Sequence, residues 1–175
     1  MSAPDSTDRL AARFWPAAFI AWTGRTVAWL SLGMVLLSFA VVVLRYGFNL
    51  GWIWLQETVT YLHAIVFMVA AAWALQTDDH VRVDIFYRER TPRQKAVVDA
   101  AGTLLFLIPV CVFLLIRSWP YVASAWSIRE GSYEASGLPW VYLLKTLILV
   151  LPALLLVQAG NLLRACFHTL RAAPR

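Results

Sequence analysis

Charge is what this sequence has least of. Ten acidic and 15 basic side chains make up 14% of its 175 residues, where soluble domains carry nearer 25%. The net charge of +5 points to nucleic acid only where basic residues crowd a soluble face, and here they fall between apolar runs. There are two cysteines, Cys111 and Cys166, each in or beside a different apolar run, so two free thiols are expected with no disulfide and no metal site. Eight glycines are scattered and none forms a phosphate-cradling loop. No Ser/His/Asp or Cys/His arrangement supports nucleophilic catalysis. No soluble domain, internal repeat or low-complexity tract stands out.

What the chain has in quantity is apolar length. It is 61% hydrophobic, and four uncharged runs stand out: Val27–Leu44, Thr58–Thr77, Ala100–Ile116 and Thr146–Leu163. Each is long enough to cross a bilayer once. Helices of a soluble core would carry a polar stripe at helical spacing, whereas these runs are apolar all round. The reading is an all-α integral membrane protein of one domain, 1–175. Its spans are near 27–45, 53–77, 96–117 and 138–163, with an inner loop 78–95 and outer loops 46–52 and 118–137. Basic residues number three in the N-terminal arm, five in the Asp78–Lys95 loop and three in the tail, against Arg45, Arg117 and Arg129 on the other side. The positive-inside rule then puts both termini in the cytoplasm.

The second span organises this reading. Arg45-Tyr46-Gly47-Phe48-Asn49 leads to a lip with Trp52, Trp54, Gln56 and Glu57; the uncharged stretch follows and closes on Asp78-Asp79-His80-Val81-Arg82-Val83-Asp84. Thr91-Pro92-Arg93-Gln94 has the signature of a capping box with an early proline, which starts the third helix. Gly137-Leu138-Pro139 opens the fourth in a similar way. Pro109 and Pro152 lie within spans, where prolines kink helices yet are tolerated. Two short interfacial helices are expected besides: Trp15 to Trp22, broken by Pro16, and Tyr121 to Glu130.

Glu57 lies about 9 Å along the second helix and Lys145 about 10 Å along the fourth, counted at 1.5 Å per residue. Both helices enter from the outer side, so the charges reach similar depth. A charge below the interface is costly and usually paired, which predicts Glu57 in contact with Lys145 or with Arg45, the alternative being separate snorkelling to the headgroups. His63 could serve as a ligand in a haem- or quinone-binding membrane anchor of a respiratory complex, but a haem site there needs a second histidine at its depth. His80 and His168 lie outside the spans. A proton-coupled small exporter using Glu57 would need that acid in an aqueous cavity, and it sits near the outer rim. Deep polar groups are too sparse for a water-lined path, so on its own the chain looks like a poor transporter.

Taken together, these motifs resemble the small membrane subunit (DctQ type) of tripartite ATP-independent periplasmic, or TRAP, transporters, from about Val27 to Arg164. Arg45-Tyr46 is similar to that family's arginine–aromatic pair, and Trp54-Leu55-Gln56-Glu57 to its tryptophan followed by two acids. Ala70-Ala71 matches its small pair, and His80, Arg82 and Asp84 its inner-loop motif. Leu138-Pro139, Lys145 and Gln158 fall where a common form has proline, lysine and glutamine. Gln56 in place of the first acid and a displaced Pro152 depart from the pattern. The resemblance implies a non-enzymatic subunit of the bacterial inner membrane with no cofactor and no substrate site of its own. It would brace a large DctM-type subunit, which uses the sodium gradient, while a periplasmic DctP-type protein delivers an organic acid anion such as a dicarboxylate. Assembly roles would fall to Arg45, Tyr46, Trp54, Glu57, His80, Arg82, Asp84, Lys145 and Gln158. Docking of the binding protein would fall to the outer segments Asn49–Trp54 and Trp119–Gly137, with Arg129, Glu130 and Glu134 as candidates.

Overall fold

The computed structural model describes residues 15–77 and 90–172. Helix α1 runs Trp15–Gly47, α2 Ile53–Gln76, α3 Pro92–Gly102, α4 Ile108–Ser127 and α5 Val141–Ala172. A single π-helical turn, Thr103–Leu107, joins α3 to α4. Among the described residues, four helical stretches are long and apolar enough to cross a membrane: Phe19–Gly47, Ile53–Gln76, Pro92–Ser127 and Val141–Arg171. The chain is thus an all-α, four-span protein, as its apolar runs require. The motif His80, Arg82 and Asp84 lies outside the described residues.

The predicted capping box forms. Gln94 N–H donates to Thr91 Oγ1 at 3.4 Å, and Thr91 N–H donates back to Gln94 Oε1 at 3.2 Å. Pro92 occupies the first turn, where its missing N–H leaves no bond unmade. The π turn sits just ahead of Pro109, with Ile108 N–H reaching back to the Thr103 carbonyl. A proline ring clashes with the carbonyl four residues earlier, and widening that turn relieves the clash without breaking the helix. Pro152 is instead taken into the core as one of the largest fully buried side chains.

Neither expected interfacial helix is a separate element. Residues 15–26 continue into α1, because Pro16 falls in the first turn and Ile20, Gly24 and Val27 form a stripe that packs inward. A Cβ at Gly24 would overlap the Trp73 indole of α2, so only glycine permits this approach. Tyr121–Ser127 likewise belong to α4, with Val122 and Ala125 buried. The fourth span's helix begins at Val141, three residues after the expected start, since residues 128–140 are used in a folded loop.

Helix α5, not α2, is the structural hub. It packs against α1, α2, α3 and α4, whereas α2 packs chiefly on α1 and α5. Its buried side chains include Pro152, Gln158, Ala159, Asn161 and Cys166. Only 6–11% of each spanning window is buried within the chain. Most of the helical surface is therefore left for lipid or another protein to cover.

Candidate functional site

The polar groups at one end of the bundle converge on the loop 128–140. The α4 helix ends at Ser127, and Arg129 takes a left-handed backbone angle (φ 46°), as does Ser136 (φ 68°). Such angles are uncommon outside glycine and cost local strain that neighbouring contacts must offset. Backbone bonds close the loop on itself. Ser132 N–H donates to the Leu138 carbonyl at 3.0 Å, and Gly137 N–H to the Glu134 carbonyl at 3.0 Å. Glu130 N–H reaches the Ala125 carbonyl at 3.0 Å, while the Glu130 carbonyl accepts Tyr142 N–H at 3.2 Å. The last pair ties the end of α4 to the start of α5.

Two carboxylates then anchor the loop from below. Glu57, one turn into α2, accepts the Ser132 hydroxyl on Oε1 and Leu138 N–H on Oε2 at 2.6 Å. The Ser132 oxygen also accepts Glu134 N–H at 3.1 Å. A Cβ at Gly137 would overlap the Ser132 side chain and sit 2.9 Å from Glu57 Oε1, so a glycine lets the loop settle onto the carboxylate. The second anchor is Glu130. Lys145 Nζ of α5 donates to both its oxygens, at 2.7 and 2.5 Å, and lies 4.2 Å from the centroid of the Tyr121 ring. Both side chains of this pair are largely shielded, 16% and 11% exposed. Beside them Trp126 Nε1 donates to Thr146 Oγ1 at 2.9 Å, and its ring meets Tyr142 edge-on at 4.8 Å.

The predicted pairing of Glu57 with Lys145 or Arg45 does not form. Both charges lie at the same end of the bundle, but each bonds to the intervening loop. A carboxylate accepts two donors at once, and loop N–H and hydroxyl groups satisfy it as well as an ammonium does. The sequence puts Tyr121 and Trp126 in a short interfacial helix and Gly137 at the opening of the fourth span, and marks Ser132 not at all, so none of the four is expected as a partner of these charges. The Gly, Ser and Pro content of 131–139 was the available signal for a compact turn.

Of the three docking candidates, Arg129 and Glu134 are exposed, whereas Glu130 is turned inward onto Lys145. Tyr133, which was not singled out, is 94% exposed and lies 3.4 Å from Glu130 Oε1 through its hydroxyl. Arg45 stands in the last turn of α1, where a cation complements the carbonyl end of the helix, and Tyr46 beside it is exposed. The chain then reverses at Asn49 (φ 53°), and Leu50 N–H closes onto the Leu44 carbonyl at 2.9 Å. Trp54 is half-exposed, 6.4 Å from Trp52 between ring centroids. Gln158 is buried and accepts Asn161 Nδ2 at 3.2 Å.

Both anchoring carboxylates are taken up by donors, and among the described residues no three His, Cys, Asp or Glu side chains gather as a metal site. What the geometry does is fix a loop. It holds 128–140 against α2, α4 and α5 at once. Residues 34–167 match the model of the tripartite ATP-independent periplasmic transporters, DctQ component. The chain belongs to the DctQ family. Comparison with curated proteins and with solved structures finds no match. Membership makes this DctQ protein the small membrane component of a TRAP transporter, and four apolar spans make it a multi-pass membrane protein. The matched segment starts within α1 and ends near the close of α5, so it takes in both loop anchors.

Proposed function

We propose that this DctQ subunit is a rigid brace whose outer loop forms part of the dock for the periplasmic binding protein. Its partners are a DctM-type large subunit in the membrane and a DctP-type binding protein outside it. Both termini face the cytoplasm of a bacterial inner membrane, in keeping with the excess of basic residues at that end. The large subunit carries the sodium-coupled movement of an organic acid anion such as a dicarboxylate, and this chain moves no solute itself. The observation that carries the reading is the doubly anchored loop. Glu57 holds it on α2 and Glu130 holds it through Lys145 on α5, which leaves Arg129, Tyr133 and Glu134 presented outward on a fixed frame. A docking surface gains affinity from such pre-ordering, because little freedom is left to lose on contact.

The test is transport by the reconstituted three-component system with Arg129→Ala, Tyr133→Ala and Glu134→Ala combined. Uptake should fall and the concentration of binding protein needed for half-maximal uptake should rise, while the large subunit still co-purifies. Unchanged dependence on binding protein would remove the docking role. Uptake by the large subunit and binding protein at full rate without this chain would remove the bracing role.

A further inference from the structure

Most of the exposed surface within the spans suits lipid. The outward face of α1 presents Leu32, Val35 and Phe39, and that of α4 presents Val110, Phe113 and Ile116. Helix α2 differs. Its exposed positions Thr60, His63 and Phe67 fall at helical spacing along one stripe. The Thr60 hydroxyl is satisfied by the Gln56 carbonyl at 3.5 Å. His63 lies over the Phe67 ring, 6.4 Å between centroids and 15° from parallel, and among the described residues its ring nitrogens meet no hydrogen-bond partner.

Depth makes that exposure informative. His63 is six residues below Glu57 on the same helix, about 9 Å further into the membrane at 1.5 Å per residue. Arg117 is also exposed on α4, but a long arginine stem can carry its charge back to the rim. An imidazole has no such reach. Lipid tails offer it neither a donor nor an acceptor, and an unpaired polar group in hydrocarbon is costly. Intramembrane histidines accordingly face protein or a water-filled cavity. Further down the stripe come Ala70 and Ala74, one helical turn apart, whose small side chains allow another helix to approach closely.

We propose that the α2 face bearing Thr60, His63 and Phe67 is the surface on which the large TRAP membrane subunit packs, a polar side chain of that subunit hydrogen-bonding the His63 imidazole. The proposal rests on the assembly reading above and adds to it the face used. The α1 and α4 faces are left to lipid.

The test uses the full complex, with a photoreactive benzoylphenylalanine placed singly at His63, Phe67, Phe39 or Phe113. Irradiation should give an adduct with the large subunit from positions 63 and 67, and none from 39 or 113. Separately, His63→Leu should weaken retention of the large subunit about 3- to 30-fold, the range spanned by one hydrogen bond between membrane helices, and His63→Gln should restore much of it. Adducts with the large subunit from 39 or 113 while 63 and 67 label only lipid would overturn the assignment. So would a dimer of this chain at 63, or full retention by His63→Leu. In each of those cases capture of the large subunit by the unaltered chain shows the assembly reading intact, whereas loss of that capture sinks both.

Discussion

Replacing Glu57 by alanine should release one side of the 128–140 loop and leave the other in place. The wild-type carboxylate accepts the Ser132 hydroxyl and Leu138 N–H. A hydrogen bond to a charged group contributes about 1.5–3 kcal/mol net, so two of them hold the loop against opening by about 3 kcal/mol even at the low end. That corresponds to roughly a hundredfold rise in the open population, at 1.4 kcal/mol per factor of ten. Amide hydrogen exchange of the purified protein in detergent or nanodiscs reads this directly. The Leu138 and Ser132 amides should exchange faster by about that factor, since in this regime exchange follows the opening equilibrium. Glu130 and Tyr142 amides, bonded to the Ala125 and Glu130 carbonyls, belong to the other anchor and should change far less. Glu57→Gln should fall between, because its amide oxygen keeps one acceptor and its NH2 group faces a donor. Leu138 exchange indistinguishable from wild type in Glu57→Ala would refute the anchoring argument.

At the second anchor, Glu130→Gln and Lys145→Met should each lower the thermal midpoint, and the double variant should lose less than their sum, as a direct pair requires; strict additivity would count against it. Gly24→Ala should cost about 1–3 kcal/mol by overpacking the α1–α2 contact, and Trp73→Ala in the same chain should relieve part of that loss, as followed by thermal unfolding in detergent. Gln158→Leu should cost about 1 kcal/mol by leaving the buried Asn161 amide without its acceptor one turn back on α5; the Gln158→Leu/Asn161→Leu pair should be milder than either change alone, since no polar group is left unmet.

Much of the candidate site was legible as a set of residues and little of it as a set of contacts. Glu57 and Lys145 were identified from depth alone, because helical rise converts sequence distance into height above the membrane. Their partners were not, because depth says nothing about which side of a helix a group faces or what folds over it. Ser132 carries no signal of its own in the sequence and Gly137 reads as the opening of a helix; only the folded loop shows one donating to Glu57 and the other making room for it. Glu130 was grouped with Arg129 and Glu134 as a surface charge, yet the backbone turn at Arg129 rotates it inward onto Lys145.

The sequence by itself determined that the chain is helical and membrane-spanning, how many times it crosses, and where charge is tolerated. Those properties follow from local composition, since a bilayer rejects charge and unbonded backbone wherever they fall in the chain. The Thr91–Gln94 cap was equally local and formed as expected. Only the tertiary structure decided that α5 is the hub, that residues 15–26 continue α1 and bring Gly24 onto Trp73, and that Glu57 and Glu130 anchor one loop from two sides. In an apolar chain nearly every helical face is hydrophobic, so composition cannot rank one face above another as a packing surface. The choice falls to shape and to the few polar groups that must find partners, and both depend on residues far apart in sequence.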